Sequence, residues 1–158
     1  MRQSDVGLVV PVSRDIAGRI FAKKGDVFVK NVPQSPRNPS EYRLKKGMKV
    51  IFYLSGSNRE ISGEAEVEMV EFLDTTEALQ RYHERLVLDE EEFKAYANAS
   101  KIRGRPLLVI TLGNPKKYPV GVKYPKRISL AGEYLSRETY IALTSEASPL
   151  GASSQPTR

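Results

Sequence analysis

Three glutamates in the middle of the chain have the spacing of an acid–base or metal site. Glu64, Glu66 and Glu68 occupy every second position, so a β-strand would present all three on one face. Carboxylates arranged in this way can transfer protons or coordinate Mg²⁺. Alternation of polar and apolar residues is also typical of a strand with one solvent-facing side, and the pattern favours that interpretation.

A polar segment just before the glutamates has groups that could recognise a nucleobase. Tyr53, Ser55 and Ser57 supply hydroxyl groups, and Arg59 supplies a guanidinium. Side chains of this kind hydrogen-bond to the edge of a single-stranded or flipped base. The same residues also suit a plain hairpin turn, and the sequence leaves both interpretations open.

A third group lies between residues 116 and 127, where cations are interleaved with tyrosines. Its members are Lys116, Lys117, Tyr118, Lys123, Tyr124, Lys126 and Arg127. Cations contact phosphate and tyrosine rings stack on bases, which together favour binding to single-stranded nucleic acid. The alternative is a proline- and tyrosine-rich loop wrapped on the core, with its lysines in water.

The glutamates and the polar segment belong to one predicted β-hairpin, Gly47–Leu73. Apolar residues alternate along both of its halves, and residues 56–60 between them have turn chemistry. Val70 and Phe72 fall in the phase of the glutamates, so the inward-facing side switches near Met69. A β-bulge explains such a switch.

The rest of the chain supplies further strands and helices. The pattern predicts strands at 6–12, 27–30 and 106–112, helices at 14–21, 75–86 and 88–97, a mostly extended loop at 113–127, a short helix at 129–134 and a helix or strand at 139–143. Ser13 and Asp89 are predicted N-caps, and three prolines exclude a helix or central strand from 31–40. We expect an α+β fold, a small mixed β-barrel with flanking helices over residues 1–144, followed by a disordered tail at 145–158.

Composition excludes several classes of protein. The chain of 158 residues has no cysteine and a single histidine, His83, so it lacks the parts of a disulfide framework, a zinc site or a histidine-based triad. Neither a GxxxxGK[ST] nor a GxGxxG motif occurs. No apolar run approaches the roughly 20 residues of a membrane span, and the N-terminus lacks the order of a signal peptide. We expect a cytoplasmic protein with no metal, no cofactor and no membrane contact.

Charge is segregated along the chain. Residues 1–50 carry a net charge of +7, residues 51–92 a net charge of −9 and residues 93–158 a net charge of +8. If the two basic segments meet in space, they form a positive face of the kind that binds a polyanion. The alternative is a solvated surface on which the charges offset one another.

These features together resemble the PUA-like superfamily, in particular its ASCH and EVE branches. The resemblance lies in two stretches, IFAKKGDVFVK at residues 20–30 and KKGMKVIFYLSGSNREISGEAEV at residues 45–67, of which the second is the more specific. It covers roughly residues 6–144. The ending PKRISLAGEYL is similar to a small archaeal family of uncharacterised proteins in that superfamily.

The resemblance implies a small β-barrel with flanking helices that binds RNA or a modified nucleobase in a basic cleft beside the barrel. The side chains expected to contact the ligand are Lys24, Lys30, Tyr53, Ser55, Ser57, Arg59, Lys126 and Arg127. A second implication is hydrolysis of a modified nucleoside, because a few ASCH proteins cleave the amide of an acetylated cytidine with Lys, Thr and Glu. Lys24 with Glu64 or Glu66 would carry that reaction, although no threonine lies near Lys24. A third hypothesis is a protein-interaction adaptor that uses the acidic helices at 75–97.

Overall fold

The predicted hairpin forms the centre of the fold. In the computed structural model, which describes residues 5–30, 42–98, 107–129 and 132–147, strand β3 (Lys49–Leu54) pairs antiparallel with the long strand β4 (Glu60–Leu73). The turn between them has positive φ at Gly56 and Arg59. The hairpin prediction is therefore confirmed.

Six strands form one mixed sheet, in the order β2-β5-β4-β3-β1-β6. The other four strands are β1 (Asp5–Val12), β2 (Val27–Lys30), β5 (Leu107–Lys123) and β6 (Glu133–Ser136). Strands β1 and β3 run parallel, and the other neighbouring pairs are antiparallel. The helices are α1 (Arg14–Phe21), α2 (Thr75–Tyr82), α3 (Glu90–Asn98) and α4 (Arg137–Ala147). The α+β class is confirmed.

Helix α1 covers one face of the sheet. Its Ile20 packs in a core cluster with Val10 of β1 and Phe52 of β3. Alternate residues of the same strands, Val9 and Ile51, pack on the opposite face with residues of α4. Helices α2 and α3 cover that opposite face at its other end, over strands β2 and β5. The sheet therefore separates an α1 face from an α4 face.

The sheet curves around the core on the α1 face. Phe28 of the edge strand β2 and Tyr134 of the edge strand β6 both pack against the same cluster. Among the described residues β2 and β6 are not paired with each other. The sheet is open there, so the predicted closed barrel is not confirmed.

The predicted phase switch in β4 is confirmed. The register between β4 and β5 shifts between Val67 and Met69, which leaves Glu68 as the extra residue of a bulge. Val70 and Phe72 then pack on the same core as Val67. One additional residue reverses the facing of every later side chain in a strand.

The helix caps predicted at Ser13 and Asp89 are confirmed, whereas α2 is capped by Asp74 and not by Thr75 or Thr76, the residues that its sequence predicts. The backbone N–H of Ile16 donates to Ser13 Oγ at 3.1 Å, and the N–H of Glu92 donates to Asp89 Oδ1 at 2.8 Å. Such caps are local in sequence, which is why the residue types alone indicate them.

Two predictions along the chain were wrong. Strand β5 continues to Lys123 through the predicted loop. Among the described residues β2 pairs with β5 only as far as Thr111, so the later prolines lie on a strand edge without a described partner. Strand β6 begins at Glu133, within the predicted helix at 129–134, because pairing with β1 decides its conformation. Helix α4 agrees with the helical alternative predicted at 139–143. The proline-rich segment 31–40 and the tail residues 148–158 lie outside the described residues.

Gly63 marks a close approach between α1 and the sheet. A Cβ at this position would lie 2.4 Å from the carbonyl oxygen of Lys116 and 2.5 Å from Cζ of Phe21. Backbone on one side and an aromatic ring on the other leave room for glycine alone.

We predict that Gly63→Ala lowers the free energy of unfolding by about 2 kcal/mol, because the added methyl group overlaps a backbone oxygen that cannot move freely. Gly18→Ala is the control, since a Cβ at Gly18 meets nothing within 4 Å. Alanine in this exposed helical position should raise the free energy of unfolding by up to about 1 kcal/mol. Urea titrations followed by circular dichroism measure both values, and equal stability of the two variants would contradict the packing described.

A charged clamp joins α1 to the start of α3. Arg19 donates two hydrogen bonds to the carboxylate of Glu92, at 2.5 and 2.9 Å, and the backbone N–H of Asp89 donates a third at 2.9 Å. The bonds from Arg19, and then the one from Asp89, lower the pKa of Glu92 to about 2. Donors that favour the ionised form have this effect on a carboxyl group.

This lowered pKa predicts a pH-dependent effect of Glu92→Gln. The unfolded pKa is about 4.3, so the stability supplied by ionised Glu92 is present above that pH and is lost as the pH falls toward 2. The variant should unfold at lower urea than the wild type at pH 7, and the difference should shrink between pH 4.5 and 2. Glu91→Gln, at an exposed position, should match the wild type throughout. A difference for Glu92→Gln that stays constant with pH would refute the clamp.

Candidate nucleic-acid interface

A cleft opens on the α1 face of the sheet, beside the turn of the central hairpin. It has a volume of about 410 Å³ and is bounded by α1, the hairpin and the second half of β5. Its charged, polar and aromatic lining includes Arg14, Phe21, Glu60, Ser62 and Lys117. We call this space the hairpin cleft.

The hairpin cleft exists because β5 bulges away from β4. Val122 of β5 is paired with Ile61 of β4, and Lys117 is paired with Gly63. Between these two pairs β5 advances by five residues, whereas β4 advances by two. The extra residues of β5, 118–121, have no register partner on β4. They form one wall of the hairpin cleft, opposite α1.

Strand pairing directs two lysines to this side of the sheet. Directly paired residues in antiparallel strands carry their side chains on the same face. Lys117 pairs with Gly63, whose Cβ position faces Phe21 of α1, and Lys123 pairs with Glu60, which lines the hairpin cleft. Both lysines are exposed. The sequence pattern could have indicated that Lys117 and Lys123 are exposed, because they are interleaved with the buried residues Tyr118, Val122 and Tyr124.

The hairpin turn and the segment after β5 form a rim next to the hairpin cleft. The backbone N–H of Tyr124 donates to the carbonyl of Arg59 at 2.6 Å, and Arg59 Nη1 donates to the carbonyl of Pro125 at 2.9 Å. Ser57 Oγ donates to the carbonyl of Leu54 at 2.6 Å and thereby holds the turn. These contacts place the turn that carries the predicted residues Ser55, Ser57 and Arg59 beside Tyr124 and Pro125, which directly precede the predicted residues Lys126 and Arg127.

Tyr53 lies beneath this rim rather than on it. Its side chain is 6% exposed and its ring meets that of Tyr124 edge-on, with centroids 6.3 Å apart. Burial raises the pKa of Tyr124 to about 12. The two rings therefore support the rim from within, and the Tyr53 ring offers no open face for stacking.

The other two predicted cations lie away from the hairpin cleft. Lys24 lines a separate cavity of about 510 Å³, together with Arg85 and Asn114. Arg85 is held there by Asp26 through two hydrogen bonds of 2.9 Å. Lys30 lies at the far end of β2 and is 7% exposed, and burial lowers its pKa.

The interpretation of the glutamate row as a solvent-facing side is wrong for Glu64. Its side chain is buried beneath α4, where it accepts hydrogen bonds from the hydroxyls of Tyr118 at 2.7 Å and Tyr140 at 2.8 Å. Lys49 Nζ lies 3.5 Å from Glu64 Oε2. Tyr140 is separated from Glu64 by 76 positions, so no local pattern could have revealed this contact.

The charges around Glu64 are matched within the protein. Lys49 Nζ also lies 3.2 Å from Glu66 Oε2, and Asn114 donates to Glu66 Oε1 at 3.2 Å. The hydrogen bond from Lys49, and then the one from Asn114, lower the pKa of Glu66. Burial, and then the hydrogen bond to Glu64, raise the pKa of Tyr118 and of Tyr140. Neutral tyrosines therefore donate to the Glu64 carboxylate, and the bond from Tyr140 fastens α4 to the sheet.

The hydrolase hypothesis finds no matching contact in the described part of the chain. The lysine that meets Glu64 and Glu66 there is Lys49, whereas Lys24 is exposed and bonds to neither glutamate. The acidic helices named in the adaptor hypothesis use carboxylates internally. Glu92 binds Arg19, and Glu90 lies 2.9 Å from Lys94 and 3.2 Å from His83.

The described ranges contain no cluster of three or more acidic, histidine or cysteine side chains suited to a metal ion. None of the described helices is long and apolar enough to cross a membrane. A cytoplasmic location stays a prediction from the sequence.

Solved structures with the same arrangement of strands and helices identify the class of fold. The chain is similar to ASCH from Zymomonas mobilis, with a TM-score of 0.70 and 14% identity over 89% of this chain and 94% of that one. It is also similar to the N-terminal domain of Staphylothermus marinus McrB, with a TM-score of 0.51 and 18% identity over 92% of this chain and 98% of that one. The chain therefore has the same fold as the ASCH structure, in agreement with the resemblance noted in its sequence.

The family follows from sequence comparison. The chain belongs to the DUF365 family, described as a domain of unknown function, whose model matches residues 5–137. A relative is the uncharacterized protein MJECS03 of Methanocaldococcus jannaschii. It is 40% identical over 101 residues, which span 59% of this chain and 94% of that protein.

The Glu64 contacts predict that Tyr140→Phe weakens the attachment of α4. Loss of a hydroxyl that donates to a buried carboxylate should lower the free energy of unfolding by about 1–2 kcal/mol. Tyr53→Phe is the matched control, since the hydroxyl of Tyr53 makes no hydrogen bond among the described residues. Thermal unfolding measures both variants, and an unchanged midpoint for Tyr140→Phe would show that the hydroxyl contributes nothing to the stability of the fold.

Proposed function

We propose that the protein is an RNA-binding module and that RNA contacts the hairpin cleft and its rim. The observation that carries this proposal is a group of exposed cations without an acidic partner among the described residues. Lys117, Lys123 and Arg127 belong to this group. Cations that the protein does not neutralise bind phosphates and release the counterions of a polyanion.

Neighbouring charges leave this surface positive. Arg14 lies 3.8 Å from Glu60, with 72% of its side chain exposed, and Lys126 binds Glu133 at 2.6 Å. These two carboxylates are outnumbered by the lysines and arginines of the hairpin cleft and rim. Electrostatic attraction would therefore draw the RNA backbone to this side of the sheet.

The interior of the hairpin cleft suits a base rather than a phosphate. Phe21 and Pro119 supply apolar surface, and a volume of about 410 Å³ lies within the usual size of small-ligand pockets. Bases stack on aromatic and apolar side chains with little dependence on sequence. We assign the base to the hairpin cleft and the phosphates to its lysines.

The fold supports the same assignment. The superfamily that the chain resembles consists mostly of proteins that bind RNA or modified nucleobases in a cleft beside a barrel. Here the curved sheet takes the place of that barrel, and the hairpin cleft lies beside it. The predicted ligand residues Ser55, Arg59 and Arg127 belong to the adjoining rim.

Charge reversal tests this proposal. Lys117→Glu and Lys123→Glu should each weaken binding to a single-stranded RNA oligomer and reduce the slope of log affinity against log salt by about 1–2, since each replaces a phosphate contact with a repulsive charge. Fluorescence anisotropy at several salt concentrations measures both quantities.

Arg137→Glu is the control for these variants, because Arg137 is exposed at the start of α4, on the other face of the sheet. It makes the same change in net charge. Affinity that is indifferent to salt, or that falls equally in all three variants, would refute the assigned surface.

A further inference from the structure

Glu60 is the carboxylate that lines the hairpin cleft. A Cβ at Gly121 would lie 2.5 Å from Glu60 Oε2 and 3.0 Å from its Cδ. The carboxylate therefore rests against the backbone of β5, in space that is open because residue 121 has no side chain.

Both oxygens of this carboxylate have hydrogen-bonding capacity to spare. Within the described part of the chain they accept no hydrogen bond, and Arg14 Nη2 lies 3.8 Å from Oε1. The two side chains are 39% and 72% exposed, and ion pairs of this kind contribute little. A ligand could therefore take the place of either partner.

Ser62 adds a second polar group to the hairpin cleft. It is 8% exposed, and its Oγ lies 3.5 Å from the carbonyl oxygen of Phe52, which is too long for a full hydrogen bond. A hydroxyl group that makes one long hydrogen bond can still accept a bond from a ligand. The hairpin cleft thus combines a carboxylate, a nearby guanidinium and a weakly bonded hydroxyl.

This combination matches one base edge better than the others. Guanine presents two adjacent donors, N1–H and the exocyclic amine, followed by the O6 acceptor. Adenine and cytosine have a ring-nitrogen acceptor beside their amine, and a carboxylate would repel the lone pair of that nitrogen. Uracil has one N–H group between two carbonyl groups, so it offers the carboxylate a single donor. A carboxylate beside a guanidinium is complementary to the guanine order.

We propose that the hairpin cleft selects a guanine base of single-stranded RNA and that Glu60 determines this specificity. The two guanine donors bind the Glu60 carboxylate, and Arg14 donates to O6. Gly121 acts as a positioning residue, because it lets the carboxylate lie against β5. This inference rests on the proposed RNA-binding function.

The test uses RNA oligomers of uridine that differ only in one central base, which is guanine, hypoxanthine or adenine. The wild type should bind the guanine oligomer roughly tenfold more tightly than the adenine oligomer, the discrimination expected of a bidentate contact. Hypoxanthine lacks the exocyclic amine and should give an intermediate affinity. Fluorescence anisotropy at one fixed salt concentration measures all three.

Two variants assign the preference to Glu60. Glu60→Gln replaces one of the two acceptor oxygens with an NH2 donor, which can no longer accept from guanine, so the affinities for guanine and adenine should become nearly equal. Gly121→Ala keeps the charge but displaces the carboxylate, and it should reduce the preference at least severalfold. Glu138→Gln, at an exposed position in α4, should retain the full preference. Circular dichroism establishes that each variant is folded.

The outcomes separate this inference from the function on which it rests. Equal, salt-dependent binding of all three oligomers by the wild type would overturn guanine selection and leave RNA binding intact. Binding of none of them would overturn both. A guanine preference that persists in Glu60→Gln would overturn the role of Glu60.

Discussion

The antiparallel ladder between β4 and β5 is the interaction on which the rest of the structure depends. It joins a strand of 14 residues to one of 17, and its register shifts at three places. The shift at Glu68 turns the end of β4 toward the core, and the one at 118–121 opens the hairpin cleft. A regular ladder of the same length would have provided neither feature, because every side chain would keep a fixed facing.

Burial of Glu64 imposes a second constraint. A carboxylate removed from water is strongly unfavourable unless hydrogen bonds and a countercharge compensate it. Tyr118 of β5 and Tyr140 of α4 supply the hydrogen bonds, and Lys49 of β3 supplies the charge. Strand β3, strand β5 and helix α4 therefore each supply a partner to the Glu64 carboxylate of β4. The bond from Tyr140 joins α4 to the middle of the sheet.

Local sequence signals predicted the parts of the fold that depend on neighbouring residues. The central hairpin, the bulge near Met69 and the caps at Ser13 and Asp89 all follow from residue types within a few positions. Burial of Glu64 depends on α4, whose Tyr140 lies 76 positions away in the chain. In the sequence, Glu64 alternates with apolar residues, as does any glutamate on the solvent-facing side of a β-strand. Tyr53 had the right chemistry for a base pocket, but Tyr124 covers it.

The candidate site was predicted only at its rim for a similar reason. Ser55 to Arg59 are contiguous in the chain, and their polar character is plain from the sequence. The walls of the hairpin cleft come from α1 and β5 as well, which meet only in the folded protein. Prolines in residues 113–127 concealed the strand that carries Lys117 and Lys123, since proline usually marks a loop. It is tolerated here because, within the described ranges, β2 pairs with β5 only as far as Thr111.

The bulge in β5 also divides this strand into two halves whose amide protons should exchange with solvent at different rates. Residues 118–121 have no register partner on β4, so their amide protons should exchange with solvent through small local fluctuations. Amides of 107–112, paired with β4 throughout and with β2 as far as Thr111, should exchange only when the whole domain unfolds. One strand thus combines a rigid half inside the core with a compliant half at the hairpin cleft. Movement of this compliant half would change the width of the hairpin cleft at little cost to the core.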